Sequence, residues 1–237
     1  MLESQAVKEK TTLILASNSP RRRQLLVLGG WSFKVLVADV DESQLPDEMP
    51  GDYVQRLASM KARKSAESVG TNSVIVAADT AVVDDDDILG KPVNEAGAVR
   101  MLKRLRGHTH QVYTGLALLR TGDGHSLRQA QDSALTDLTV TDVPMREYSD
   151  EEIDAYVKTG DPLDKAGAYA IQHPRFQPVE NLEGCFASVM GLPLCRLTYL
   201  LEQFGIAPDT SVGIHCQAEL QYDCLISSAV LDGSLAK

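Results

Sequence analysis

Several familiar signatures are missing from this chain. It has no GxGxxG turn and no GxxxxGK(S/T) loop, so neither Rossmann dinucleotide binding nor P-loop chemistry is supported. Its four cysteines, Cys185, Cys195, Cys216 and Cys224, form no CxxC pair, and no histidine spacing completes a zinc site. They read as free structural thiols. No apolar run is long enough to span a bilayer. Residues 1–10 are polar and lack a signal-peptide core. The expectation is a cytoplasmic protein with no membrane partner. Positive charge is also scarce: 23 Lys and Arg stand against 33 Asp and Glu, for a net charge of −10. That balance argues against a broad nucleic-acid surface and leads us to expect no nucleic-acid partner. It leaves room for a small basic pocket, because local clusters set local potentials. No repeat of 20–50 residues and no low-complexity linker is present. With 237 residues, 43% apolar, the chain can bury one sizeable core or two lobes sharing a cleft.

The most informative stretch is Leu13-Ile-Leu-Ala-Ser-Asn-Ser-Pro-Arg-Arg-Arg23. Leu13 to Ala16 reads as a buried strand. Ser19 suits a helix N-cap, and Pro20 suits the first helical position, where its missing N–H has no partner anyway. Arg21, Arg22 and Arg23 then occupy the first turn, where the helix dipole disfavours cations. The placement makes sense if an anion sits at the helix start, held by free N–H groups, the serines and one or two guanidinium forks. Phosphate is the natural candidate. The competing reading is a capped surface helix with solvated arginines.

Further along, a helix is expected over 20–29, a short strand over 33–37 and a long helix over 52–69 with Gly70 past its end. The apolar stripe of that long helix runs through Val54, Leu57, Ala58, Ala62 and Val69, and Lys61 lies on it. Such a lysine either snorkels to the edge or points into a cleft at a negative partner. Ser73 to Ala78 is an apolar strand that Asp79-Thr80 is expected to terminate, with Ala81 to Val83 continuing extended. Asp84 to Asp87 reads as a solvated hairpin tip, returning through Ile88-Leu89 to Gly90-Lys91-Pro92. A helix over 94–106, strands over 109–119 and 133–143 joined through a Gly122-Asp-Gly124 turn, and a helix over 150–158 with a Ser149/Glu152 capping box follow. Residues 164–172 are small and punctuated by glycine, which lets backbone approach a ligand closely. A last amphipathic helix is expected at about 193–204. The order implies an α/β fold with a mixed sheet and flanking helices.

Chemistry gathers where strands end and loops begin. Ser17, Ser19, Arg21 and Arg22 follow the first strand, Asp79 and Thr80 follow the apolar strand, Lys91 follows the hairpin, Lys61 faces inward, and Gln172 follows the small-residue segment. Several cations, one or two carboxylates and an amide fit a triphosphate bound with a divalent ion. Asp79 stands out, because a carboxylate at the end of an apolar strand needs a hydrogen bond, a cation or a metal. It could instead cap a turn. Glu42 reads as a second carboxylate or as a solvated loop glutamate.

Seven stretches carry a resemblance: Leu15-Ala-Ser-Asn-Ser-Pro-Arg-Arg22, Arg56-Leu-Ala-Ser-Met-Lys61, Ala78-Asp-Thr80, Leu89-Gly-Lys-Pro92, His110-Gln-Val-Tyr-Thr-Gly115, Asp164-Lys-Ala-Gly-Ala-Tyr-Ala-Ile-Gln172 and Gly191-Leu-Pro-Leu194. Collinear over about residues 12–205, they resemble the Maf family of nucleoside triphosphate pyrophosphatases. The resemblance implies a Maf-like domain over 12–205; it does not bear on residues 206–237, which read as a C-terminal appendage of unassigned order, and residues 1–11 read as an N-terminal extension. It implies a mixed, twisted sheet with two lobes around a deep cleft, similar to inosine triphosphate pyrophosphatases, and a homodimer. It implies hydrolysis of a nucleoside triphosphate to the monophosphate and pyrophosphate with Mg²⁺ or Mn²⁺. On the matching positions Asp79 takes the role of base; from the residues themselves, Asp79 could instead or also hold the metal, with Glu42 as a second carboxylate toward it. Ser17, Ser19, Arg22, Lys61 and Lys91 face the phosphates. Arg21, Thr80 and Gln172 match the positions that set substrate choice and look like the dTTP/UTP subgroup. Hydrolysis of 7-methyl-GTP or a modified pyrimidine triphosphate, and a nucleotide-binding regulator of septum formation, are the alternatives. His173-Pro-Arg-Phe-Gln-Pro178 departs from the family's glycines and reads as stiffer.

Overall fold

Strand β1 (Thr12–Leu15) lies parallel between β2 (Phe33–Val35) and β3 (Ser73–Asp84). Beyond β3 the pairing turns antiparallel through β5 (Thr109–Arg120) to β6 (Ala134–Pro144), and β4 (Asp87–Leu89) folds back on β3. The sheet order is therefore β2-β1-β3-β5-β6 with β4 off that path, a mixed sheet as the element order implies. The computed structural model describes residues 11–122 and 134–235. The expected Gly122-Asp-Gly124 turn and the Ser133 start of the return strand fall partly or wholly outside the described residues.

Both faces of the sheet are covered. Leu13, Leu15, Val74, Val76, Leu116 and Leu118 project to one side, into the main core with Leu25, Leu26 and Leu102. Ile14, Ile75, Ala77, Ala117 and Leu119 project to the other, against Ala58 and Ala62. Alternating side chains thus find a dry partner on each face, which is why the first half of β3 reads as an uninterrupted apolar run.

The helices begin where their capping residues allow. Helix α1 (Pro20–Val27) has Ser19 as N-cap, whose Oγ accepts the Arg22 N–H. Helix α2 (Pro50–Ala66) has Asp52 in its first turn and Arg63 and Lys64 in its last, the favourable sense for the helix dipole. Asn94 caps α3 (Glu95–Leu105) through the Gly97 N–H, and Ser149 with Glu152 forms the expected capping box of α4 (Asp150–Val157). Helices α5 (Phe186–Val189) and α6 (Leu194–Gln203) follow.

Two expectations differ from the structure. First, β3 does not end at Asp79; it runs unbroken for 12 residues, because β5 pairs with it from Val74 to Val83. Only its parallel partner stops early, with Ala16 N–H donating to the Val76 carbonyl. Second, Asp84 is not a solvated turn residue. It is buried, and Arg104 Nε at 2.5 Å and His108 Nε2 at 2.8 Å satisfy its carboxylate. Asp85 and Asp86, with φ of 49° and 69°, make the exposed tip. Residues after 206, whose order the sequence leaves open, form α7 (Val212–Leu220) and α8 (Ser227–Leu231) where described, and Val212 and Cys216 join the main core. The segment is tied down by Trp31 Nε1 donating to the Ala207 carbonyl and Tyr222 Oη donating to the Leu182 and Gly184 carbonyls. No described helix is long and apolar enough to cross a membrane.

Candidate active site

The early end of β1 creates the site. Past Ala16 the chain leaves the sheet into Ser17-Asn18-Ser19 and α1, so the flank of β3 beside Ala78, Asp79 and Thr80 has no neighbouring strand. Asp79 has the parity of Ile75 and Ala77 and faces α2; Thr80 has the parity of Val74 and Val76 and faces the main core. The site therefore wraps around one open strand flank, with groups arriving from both sides.

On the α2 side, Lys61 Nζ lies 2.6 Å from Asp79 Oδ1 and 2.6 Å from Glu42 Oε1. Lys61 thus takes the cleft-facing alternative, and Glu42 is no mere loop glutamate. Desolvation pushes Glu42 toward a higher pKa, but the Lys61 hydrogen bond and the charges of Lys61, Lys91 and Arg22 outweigh it and hold the carboxyl below its ordinary value. Lys91, exposed on the loop after β4, contributes to that positive field. The approach of α2 to the sheet depends on Gly115, the cross-strand partner of Asp79. A Cβ at Gly115 would lie 2.7 Å from the carbonyl carbon and oxygen of Val54.

On the other side, Arg22 is a bracket. Its Nε donates to the Gly191 carbonyl at 2.8 Å, Nη1 to the Ala78 carbonyl at 2.7 Å and to Ser17 Oγ at 3.5 Å, and Nη2 to Thr80 Oγ1 at 3.1 Å. These bonds occupy four of its five N–H donors. Burial lowers its pKa, with Asp79 opposing the shift. Thr80 shares a further hydrogen bond with Thr114, whose hydroxyl donates to the Ser188 carbonyl at 2.8 Å. Ser17 Oγ accepts the Ser19 N–H at 3.1 Å, shaping the turn into α1.

Arg21 is half-buried and makes no hydrogen bond or ion pair among the described residues, which leaves its fork available. Its charge reaches both Arg22 and Tyr156. Tyr156 Oη accepts the Ala170 N–H at 3.0 Å, at the start of the stretch leading to Gln172. Gln172 itself is half-buried, and no hydrogen bond joins it to the Asp79 cluster among the described residues. Its segment is docked onto the Lys91 loop by the Gly167 N–H donating to the Gly90 carbonyl. Glycine is required there, with φ of 68°.

The structure thus joins Ser17, Arg22 and Thr80, and Glu42, Lys61 and Asp79, by direct contacts, with Arg21 and Lys91 contributing charge, while Ser19 serves as the helix cap and no hydrogen bond joins Gln172 to them among the described residues. Sequence reasoning missed Thr114, which buttresses Thr80, and Tyr53 and Arg56, which hold the loop carrying Glu42. Their signals were present, as Thr114 and Arg56 lie inside quoted motifs. Among the described residues no cluster of three or more His, Cys, Asp or Glu forms a metal cage. Two carboxylates converging on a cation suit a hard divalent ion, which is commonly held by one or two carboxylates and completed by substrate phosphates. The residues present fit Mg²⁺ or Mn²⁺ in that sense.

The family model described as Maf-like protein matches residues 12–204. A dTTP/UTP pyrophosphatase of Dictyoglomus thermophilum is 44% identical over 83% of this chain and 97% of its own length. Proteins of the same name from Hahella chejuensis and Geobacter sulfurreducens are each 44% identical, over 82% and 83% of this chain and 92% and 98% of theirs. Among solved structures, a HAM1 protein from Coxiella burnetii aligns over 81% of this chain and 98% of that one at 15% identity, with a TM-score of 0.44.

Proposed function

The chain belongs to the Maf family, and from that premise we propose that it is a nucleotide pyrophosphatase hydrolysing dTTP and UTP to the monophosphate and pyrophosphate. One observation carries the reading: Asp79 and Glu42 meet on Lys61 at 2.6 Å each, on a strand flank faced by the start of α1 and its arginines. The names of the relatives supply the substrate class.

In this reading a water attacks the α-phosphorus. The new P–O bond forms, the bond to the β-phosphate oxygen breaks, and pyrophosphate leaves. Asp79 takes the proton of the attacking water. Asp79 and Glu42 are the residues that would hold a divalent ion, which would supply charge neutralisation on the triphosphate. Lys61 has three N–H donors and uses two on the carboxylates, so the third serves a phosphate oxygen. Arg21 and Lys91 supply mobile positive charge, and Arg22 supplies a fixed one, because its donors are already committed. Arg21, Thr80 and Gln172 select the base. The working form is a homodimer of the chain.

Pyrophosphate release from dTTP, UTP, dCTP, GTP and 7-methyl-GTP, each with Mg²⁺ or Mn²⁺, tests the proposal. Turnover is expected to be greatest for dTTP and UTP, with one monophosphate per pyrophosphate. Preference for 7-methyl-GTP would overturn the substrate assignment. Absence of turnover on every triphosphate, alongside a nucleotide-dependent rise in melting temperature, would replace the enzyme with a nucleotide-binding regulator.

A further inference from the structure

Glu42 sits on a loop with little to hold it. Residues 36–49 form no helix or strand, and most of their side chains are exposed. Few apolar contacts fix such a segment, yet its carboxylate reaches Lys61 at 2.6 Å. The order comes from two residues on α2. Arg56 grips Glu48 with a two-pronged ion pair, Nε to Oε1 at 2.5 Å and Nη2 to Oε2 at 2.8 Å, and the same Nη2 donates to the Ser43 carbonyl at 3.0 Å. Glu48 Oε2 also accepts the Leu45 N–H at 3.0 Å, and Gln44 Nε2 donates to the Glu48 carbonyl at 3.0 Å. Tyr53 Oη donates to the carbonyl of Glu42 itself at 2.9 Å. Tyr53 and Arg56 are three residues apart on one side of the helix, and the guanidinium lies 5.7 Å from the tyrosine ring centroid. Lys61 stands on the same helix, so one rigid element sets both ends of the Glu42–Lys61 contact.

We propose that Arg56 and Tyr53 are positioning residues that strap the 41–49 loop to α2 and thereby set the Glu42 carboxylate at the divalent-ion site. The inference rests on the pyrophosphatase reading above for its catalytic consequence, but not for the strap itself. Arg suits the strap better than Lys, because its planar fork meets both Glu48 oxygens and the Ser43 carbonyl at once, whereas an ammonium places its donors on one atom and cannot match that spacing.

Two measurements on the full chain test the proposal. The first is amide hydrogen exchange of residues 41–49 without ligand. Arg56→Gln is expected to raise exchange there at least 10-fold, Tyr53→Phe less, and Arg56→Lys in between, with the sheet amides unchanged. Unchanged loop exchange in Arg56→Gln would overturn the strap, whatever the activity. The second is Mn²⁺ binding followed by electron paramagnetic resonance, in parallel with kcat/KM. Residues that orient a metal ligand typically account for about 10–100-fold in metal affinity or activity, and Arg56→Gln is expected to fall in that range. In a Glu42→Gln background the same change should add less than 2-fold to the loss of Mn²⁺ affinity. A full additive effect there would show that Arg56 does not act through Glu42. If the wild-type protein hydrolyses no triphosphate, the reaction is refuted, while exchange and Mn²⁺ binding still decide the strap.

Discussion

A carboxylate inside an otherwise apolar strand must be compensated, and Asp79 is compensated by the ammonium of Lys61 at 2.6 Å. This pairing is legible in part from sequence. Asp79 is the one acidic residue in a run of ten, and Lys61 lies on the buried stripe of its helix. What the sequence could not supply is the partner's identity, because 18 residues and a strand crossing separate the two. The Asp79→Asn variant keeps the shape and loses the proton acceptor. It should lower kcat by roughly 10²-fold or more with a melting temperature near that of wild type. Near-normal turnover in a pyrophosphate-release assay would refute the role given to Asp79. Arg22 gives the opposite lesson: its charge suggests a phosphate ligand, but its hydrogen bonds are spent on three backbone and hydroxyl anchors of the fold.

At the scale of elements, the helix–sheet spacing matters more than any single contact. Helix α2 can approach β5 closely only at Gly115, where a side chain would collide with the Val54 backbone. Backbone cannot rotate aside as a flexible side chain can. Gly115→Ala should therefore push α2 outward and cost about 1–3 kcal/mol in a denaturant unfolding curve. Because Lys61 rides on α2, kcat/KM should fall by more than the fraction unfolded accounts for; a stable, fully active variant would refute the coupling. The His110–Gly115 motif contained this glycine, but a glycine's need for close approach depends on the element across from it, which no local pattern reveals. The extent of β3 was illegible for a related reason. Asp79-Thr80 reads as a strand end, yet a long antiparallel partner extends pairing through it. Caps fared better, since Ser19, Asn94 and the Ser149/Glu152 box act within four residues of themselves.

For the molecule as a whole, the mixed sheet was readable from the order of elements, whereas the helices beyond residue 206 were not. In Val212–Leu220 the apolar residues alternate at 212, 214, 216, 218 and 220, a strand-like period that hides the helix, and the segment orders by docking on the main core through Val212 and Cys216. Stability as a function of pH is a second whole-molecule property. His110 lies buried under Tyr169, its Nε2 hydrogen-bonded to Tyr169 Oη at 2.9 Å, and burial pushes its pKa from 6.5 down to about 4. The folded state keeps this ring neutral, while the unfolded chain takes up a proton below 6.5. Stability is thus complete above pH 6.5 and declines as pH falls toward 4, by on the order of 3 kcal/mol at 1.36 kcal/mol per pH unit. Glu42 and Asp84, whose folded values are depressed, add their losses only below their ordinary range near 4. Between pH 6.5 and 4.5 the melting temperature of His110→Gln should therefore fall less steeply than that of wild type; equal slopes would rule out His110 as the source.

The Arg22 bracket has a consequence for synthesis. Its Nε bond reaches Gly191, 169 residues downstream. On the ribosome, at 5–20 residues/s, roughly 10–30 s separate the appearance of the guanidinium from that of its anchor. Throughout that interval Arg22 lacks its last anchor, with only Ser17, Ala78 and Thr80 available to it. A nascent chain ending short of Gly191 therefore carries nearly every side chain of the site with the bracket incomplete, and the Arg22 Nε bond closes only with the last fifth of the protein.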